Sequence, residues 1–323
     1  MEALPEFELH RPATIAEALT ALAGDDAARL VAGGTDLIVN MRRGLVETPR
    51  LVDLGGIAEM RKITVAGSRL TIGAGVTLDR LAGDARLAEE FPAIVQAAAA
   101  VAGPTHRNVG TVGGNLCLDT RCLFYNQSQW WRESNQYCLK YRGDVCHVAP
   151  RGKFCYAVFS GDLAPALLVH AASVTIAGPA GERNIPLTGL YRGDGADYLT
   201  LGAGEIVTAV TVGEDGMNSA YRKARIRGSI DFPLAGVAVA VQTEGDAITA
   251  LRAALTACDT KPFLVTGLED FTGKALAEDT AQSFGETVQR QARPMRTTPT
   301  SPWYRRRVVA RLARRLLLEL GDG

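Results

Sequence analysis

Between Arg121 and Phe159 the chain sets four cysteines, Cys122, Cys138, Cys146 and Cys155, among nine of its 20 aromatic residues. Elsewhere the sequence is rich in Ala, Gly, Leu and Val, so this stretch reads as an inserted module built to hold something soft and oxygen-sensitive. Four thiolates can cap the four irons of a cubane cluster, and apolar rings around them limit water, which tunes the potential and protects the sulfides. The spacing C-x15-C-x7-C-x8-C lacks both the C-x2-C knuckle of structural zinc sites and the tight ferredoxin run. From the residues alone, an iron–sulfur cluster leads, and a zinc site, disulfides and unrelated buried thiols stay open, with His147 beside Cys146 as a candidate substitute ligand. Cys117 and Cys258 fall outside the aromatic group, and Cys258, in Ala-Leu-Thr-Ala-Cys-Asp, reads as a small buried hydrophobe.

With 323 residues the chain can bury a sizeable core and divide into two or three domains. The longest apolar stretch, Ala93 to Gly103, is broken by Gln96 and is too short for a membrane span. The opening Met-Glu-Ala-Leu-Pro-Glu has no basic region leading into an apolar core, so a cytoplasmic location is expected. Lys plus Arg equals Asp plus Glu at 35 each, which argues against a nucleic-acid partner. The distribution is less even. Residues 121–158 carry six cations against two anions, a net +4, and Lys140, Arg142, Arg151 and Lys153 are expected to meet an acidic one-electron carrier such as ferredoxin. A second basic run, Arg305, Arg306, Arg307, Arg311, Arg314 and Arg315, falls in a C-terminal helix with Ser301 as N-cap and Pro302 at the first position. There Tyr304, Val308, Leu312, Leu316 and Leu320 suggest the docking stripe, with a solvated arginine face opposite.

The opening residues, 1–56, read as a βαβαβ unit with strands at Phe7–Leu9, Arg29–Val31 and Arg50–Asp53. Helices there start at the capping box Thr14-Ile15-Ala16-Glu17 and at Asp36, the second ending at Gly44. Residues 57–216 mix strands (Leu70–Ile72, Val174–Ile176, Ile206–Val212) with an Ala-rich helix around Phe91–Val101, and the cysteine segment, at about 119–158, interrupts them. From 217 to 323 an alternating strand near Val237–Val241 and a returning strand near Ala247–Ala254 precede helices.

Two glycine pairs suit an anion. In Leu30-Val31-Ala32-Gly33-Gly34-Thr35-Asp36-Leu37 a strand runs through glycines into a helix, so bare backbone amides and a helix N-terminus point outward together. Gly110-Thr111-Val112-Gly113-Gly114-Asn115-Leu116 offers a second nest. Neither is G-x-G-x-x-G or a P-loop, which disfavours a nicotinamide Rossmann site or an NTPase.

Taken together, Val31 to Leu37, Arg107 to Leu116 and Gly161-Asp162-Leu163-Ala164-Pro165-Ala166-Leu167 resemble the three FAD motifs of the flavoprotein subunit of molybdenum hydroxylases, the xanthine oxidase family. Ala220-Tyr221-Arg222-Lys223-Ala224-Arg225-Ile226-Arg227 resembles the start of that family's C-terminal domain. The resemblance implies an α+β fold: two FAD-binding subdomains of the vanillyl-alcohol-oxidase type, then an α+β C-terminal domain. It implies that Leu30, Val31, Ala32, Gly33, Gly34, Thr35 and Asp36 wrap the pyrophosphate and that Thr111, Val112, Gly113, Gly114 and Asn115 complete the cradle. Asp162 is then expected to meet the ribityl part of the flavin, and Lys223, or Arg222 beside it, to approach from the C-terminal domain.

The inserted cysteines depart from the usual family pattern and resemble one branch, the beta subunits of 4-hydroxybenzoyl-CoA reductases, which carry FAD and an extra [4Fe–4S] cluster. That resemblance implies an electron-transfer subunit with Cys122, Cys138, Cys146 and Cys155 as ligands. Its partners are then a large subunit with a molybdenum cofactor and a small subunit with two [2Fe–2S] clusters, as a dimer of heterotrimers fed by a ferredoxin-like donor. The sequence holds no catalytic constellation such as G-x-S-x-G. A free-standing flavin oxidase and a zinc-stapled scaffold remain as alternatives of other classes.

Overall fold

The computed structural model describes residues 4–25 and 27–321. Strand β1 (Glu8–His10), helix α1 (Ile15–Leu22), strand β2 (Arg29–Val31), helix α2 (Leu37–Arg42) and strand β3 (Arg50–Asp53) follow one another, and the strands pair in parallel in the order β1-β3-β2. Local chemistry fixes both crossings. The Thr14 hydroxyl accepts from the Glu17 N–H at 3.2 Å, while the Glu17 carboxylate accepts from the Ala13 N–H at 2.8 Å, so the first turn of α1 is capped from both directions. Gly44, at φ +60°, turns the chain after α2 in the left-handed conformation that a side chain would strain.

Strands β4 (Ile63–Ala66) and β5 (Arg69–Gly73) lead into a run of helices: α3 (Leu78–Ala82), α4 (Ala85–Glu90), α5 (Pro92–Ala100), α6 (Pro104–Arg107), α7 (Val112–Leu116), α8 (Gln129–Ser134) and α9 (Leu163–Val169). Strands β6 (Ser173–Gly178), β7 (Gly181–Pro186) and β8 (Ile206–Gly213) then complete an antiparallel five-stranded sheet, β4-β5-β8-β6-β7. The last part forms a four-stranded antiparallel sheet, β12-β11-β10-β9, from β9 (Asn218–Ala224), β10 (Ala235–Glu244), β11 (Ala247–Thr256) and β12 (Phe263–Leu264). Helices α10 (Glu278–Gln291) and α11 (Pro302–Gly321) follow it.

The alternation along β10 has an unexpected meaning. Val237, Val239 and Val241 pack with α10 and α11, whereas Ala238 and Ala240 join the core that contains α5 and α9, so both faces of the sheet are buried. The strand alternates large with small rather than apolar with polar, because small side chains let the inner helices approach closely. The core thus runs without a break past residue 217, since α5 and α9 precede it in sequence yet pack on the sheet that follows it.

The docking stripe of α11 differs from the expected one. Its buried residues are Arg305, Val309, Ala313, Leu316 and Leu317, while Tyr304 is exposed and only Leu316 is shared with the fourfold pattern. A spacing of four overshoots the helical turn by about 40° per step, so such a stripe drifts off the contact face. Arg305 is fully buried rather than solvated: Nε donates to the Leu234 carbonyl at 2.8 Å, Nη1 to the Met295 carbonyl at 2.9 Å, and Nη2 to the Ala257 carbonyl. Burial disfavours its charge and lowers its pKa, and the three carbonyls offset that cost. Replacing Arg305 with Met is expected to lower unfolding stability by about 3 kcal/mol or more, because three buried carbonyls lose their donors. Arg306→Met, on the exposed side, should change it by less than about 0.5 kcal/mol; comparable denaturant midpoints for the two variants would refute this role for Arg305.

Candidate cofactor cleft and thiol pocket

A cleft of about 1150 Å³ opens where the β2–α2 turn meets the start of α7. The two glycine motifs that form it are pressed together through their backbones. A Cβ on Gly33 would lie 2.2 Å from the Val109 carbonyl oxygen, and Gly34 sits at φ +69°, so neither position accepts a side chain without strain. The Thr111 hydroxyl caps α7 by accepting from the Gly114 N–H at 3.1 Å, so the hydroxyl is engaged within the chain, and the Val112 N–H donates to the Val76 carbonyl at 2.9 Å. Gly113 lies against Ala74, donating to its carbonyl at 2.8 Å. The Asn115 side-chain oxygen, Oδ1, accepts from the Leu163 N–H at 3.0 Å and so ties the second motif to the third.

Leu30, Val31, Ala32, Gly33, Gly34, Thr35 and Asp36 all line this cleft, as do Thr111, Gly113, Gly114, Asn115 and Asp162. Two expected positions do not. Val112 is buried beneath the turn as core, and Lys223 stands behind Asp162. Lys223 Nζ is 3.0 Å from Asp162 Oδ2 and 3.2 Å from the Asp231 carbonyl, while the Tyr221 hydroxyl donates to Asp162 Oδ1 at 2.6 Å. Both carboxylate oxygens of Asp162 are therefore held by protein donors, and its ordering is built in before any ligand arrives. Burial nonetheless raises the Asp162 pKa, opposed by Lys223 and Tyr221. Strand alternation decides between the adjacent cations: Arg222 points to the opposite face and pairs with Glu319 at 2.8 Å.

The cysteine module folds over the same cleft, contributing Tyr125, Lys140, Tyr141 and Arg142 to its wall. Its base is closed by a two-way backbone pairing of Arg121 with Val158, at 2.8 and 2.7 Å. All six cysteines are free thiols. Cys122 and Cys155 are buried with Leu45, Tyr125 and Ala157, Cys138 packs against that group, and Cys146 is buried within electrostatic reach of Cys122 and Cys155. Burial pushes the Cys122 thiol up to about 11 and the Cys155 thiol up to about 12. Backbone amides already point at both sulfurs, with the Ala157 N–H 3.3 Å from Cys155 Sγ and the Phe124 and Tyr125 amides directed at Cys122. His147 is engaged elsewhere: its Nε2 meets the Tyr137 carbonyl, which only a protonated nitrogen can do, and its ring lies beside Phe124 and Trp131. Among the described residues, no three His, Cys, Asp or Glu side chains gather closely enough to hold one metal ion.

The module's charge is arranged differently from the docking expectation. The Lys140 side chain is only 6% exposed, pairs with Asp119 at 2.8 Å and lies 5.2 Å from the Tyr125 and Tyr198 ring centres. Arg142 pairs with Glu47. Arg151 and Lys153 remain exposed, near the exposed Phe154. From sequence, Lys140 is expected to meet an acidic carrier and Arg121 counts only as charge, yet both face inward; the carboxylate of Asp119, close before Arg121, is the available signal.

Residues 5–214 match the FAD binding domain in molybdopterin dehydrogenase, and residues 219–320 match the CO dehydrogenase flavoprotein C-terminal domain. The chain is 32% identical over 256 residues to an aldehyde oxidoreductase FAD-binding subunit of Escherichia coli K12, covering 76% of this chain and 80% of that one. It is 27% identical to the carbon monoxide dehydrogenase medium chain of Hydrogenophaga pseudoflava, across 97% of this chain and 96% of the other. A chain of the Cu,Mo-CO dehydrogenase crystal structure shares the fold with a TM-score of 0.82 at 23% identity, covering 99% of both chains.

Lys223→Met is expected to destabilise the protein by about 3 kcal/mol at neutral pH, since it strands a buried carboxylate. Because the folded-state pKa of Asp162 is raised, the penalty belongs to its ionised form and should shrink as the pH falls toward about 4 and Asp162 takes up a proton. Unfolding midpoints of wild type, Lys223→Met and Arg222→Met across that pH range check it; a pH-independent gap for Lys223→Met would be inconsistent with the pairing.

Proposed function

The chain belongs to the FAD-binding family of molybdopterin dehydrogenases, and on that premise we propose that it is the flavin and iron–sulfur subunit of a molybdenum-containing reductase acting on 4-hydroxybenzoyl-CoA. The reaction takes two electrons and two protons, replaces the phenolic hydroxyl by hydrogen and releases water as benzoyl-CoA forms. In this reading Leu30 to Asp36, Thr111, Gly113, Gly114, Asn115 and Asp162 would hold FAD and Cys122, Cys138, Cys146 and Cys155 a [4Fe–4S] cluster, and the two groups would supply electron transfer between a ferredoxin-like donor and partner subunits carrying two [2Fe–2S] clusters and the molybdenum cofactor. The observation that supports this reading is that Tyr125, Lys140, Tyr141 and Arg142 of the cysteine module line the cleft formed by the FAD motifs.

The donor set fits a cluster. Buried neutral thiols with raised pKa values need a bound cation to become thiolates, and amides aimed at Cys122 and Cys155 are the hydrogen bonds that stabilise cluster sulfur. Arg132 adds a charge argument: it is 2% exposed, donates to the Arg43 and Gly44 carbonyls at 3.2 Å, lies 4.8 Å from the Tyr141 ring centre, and among the described residues has no carboxylate partner and no acceptor for Nε and Nη1. The fully buried Arg305 is wrapped by carbonyls instead, so an incompletely satisfied Arg132 in the cysteine module favours a nearby anionic group, which a tetrathiolate cluster supplies.

A second substrate reading has support of its own, since a nicotine 6-hydroxylase medium subunit is 26% identical over 320 residues. Turnover by the assembled complex with 4-hydroxybenzoyl-CoA against N-heteroaromatic substrates separates the two; oxidation of a heteroaromatic with no dehydroxylation would reject the reductase reading. Protein purified without oxygen should contain about four iron and four sulfide per chain. Cys122→Ser, Cys138→Ser, Cys146→Ser and Cys155→Ser should each deplete both, while Cys258→Ser, in the core of the C-terminal sheet, should not. Zinc without acid-labile sulfide would end the cluster reading. Arg151→Gln with Lys153→Gln should slow reduction by ferredoxin several-fold at low ionic strength and leave reduction by a small neutral dye unchanged, the difference fading as salt rises. Rates indifferent to both residues and to salt would place the donor elsewhere.

A further inference from the structure

The cofactor cleft holds a cation that neither glycine motif provides. Arg121 belongs to the cysteine module, immediately before Cys122, and its backbone is fixed by the pairing with Val158. The residue is 7% exposed and lines the cleft. Its Nη2 pairs with Asp36, the last residue of the first glycine turn, and its Nη1 is buried with no acceptor among the described residues.

A buried donor left without a partner costs about 1–3 kcal/mol, and more on a charged group. Asp36 does not relieve it: Nη2 takes Oδ1, the other carboxylate oxygen accepts from Asn40 Nδ2 at 3.1 Å, and Nη1 reaches neither. The guanidinium is a planar fork whose two ends can serve two acceptors at once, so a carboxylate on one side orients the other side for an oxyanion. The pair also removes a difficulty in the turn itself. An anion cradled by amides next to a lone carboxylate would be repelled, and Arg121 cancels that charge where the anion must sit.

We propose that Arg121, held by Asp36, donates Nη1 to the diphosphate of FAD and is thereby a cofactor-binding residue contributed by the cysteine module. This rests on the reading of the Leu30–Asp36 turn as the diphosphate cradle. It makes the module part of the flavin site.

The test is titration of the full-length, flavin-depleted protein with FAD and, separately, with riboflavin, which has no phosphate. Arg121→Gln should weaken FAD binding about tenfold or more and leave riboflavin binding unchanged. Arg121→Lys, which keeps the charge without the fork, should fall between wild type and Arg121→Gln. Wild-type FAD affinity in Arg121→Gln, or equal losses for FAD and riboflavin, would overturn the proposal, the latter marking Arg121 as a strut. Gly34→Val reports on the turn independently: if that variant keeps wild-type FAD affinity the cradle is misplaced, whereas its loss of FAD beside an unaffected Arg121→Gln rejects the role of Arg121 alone.

Discussion

Helix α9 is buried along all seven of its residues, and most of the site depends on that fact. A helix enclosed on every side must have its end groups satisfied by the protein, because no water reaches them. At the N-terminus the Leu163 amide is taken by the Asn115 side chain, and at the C-terminus the Val169 carbonyl accepts from Arg252 Nη1 at 3.0 Å, itself 2.9 Å from Asp215. His170 follows, fully buried, between Asp215 and Ser219. These partners come from the second glycine motif and from the C-terminal sheet, so satisfying one buried helix fixes three parts of the chain against each other. Asp162, the residue before α9, is thereby delivered to the cleft with its carboxylate already held.

What was legible in the sequence was local. The opening βαβαβ unit is marked by a capping box, two glycine turns and short apolar strands, and each mark acts within a few residues. The glycine motifs were legible because backbone approach demands them: Gly33 meets a carbonyl and Gly34 a positive φ, conditions that leave one residue type. Asp162 and Lys223 were legible only as members of motifs. Their partnership joins positions 61 residues apart, and no periodicity encodes it. The face of α11 was misread for a related reason. A buried arginine looks like a solvated one until the carbonyls of Leu234, Ala257 and Met295 are in place around it.

The cysteine module was recognisable by composition and unreadable in conformation. Beyond α8 it is almost entirely turns, with Gln136, Tyr137 and Arg142 at positive φ, a conformation that non-glycine residues enter at a cost. Such a backbone is held by side chains rather than by ladders. Lys140 joins the module to Asp119, Thr120 and the Gly195 carbonyl, and Arg132 joins it to the Arg43 and Gly44 carbonyls beside the cleft. The segment counts a net +4, but the side chains of Arg121, Arg132 and Lys140 are buried and hold the module down, so the outward charge is correspondingly smaller.

That division bears on how the module forms. The pocket around Cys122 and Cys155 disfavours thiolates, so loading a metal cluster must expel thiol protons and replace them with a cation. Under the proposed reading, each proton released ties assembly to pH and each bond made to sulfur adds to the stability of a segment with few backbone ladders of its own. Under the same reading the cleft inherits that dependence, because its wall includes Tyr125 and Tyr141, which pack in the thiol pocket. What orders the thiol pocket therefore also orders part of the cleft wall, because Tyr125 and Tyr141 belong to both.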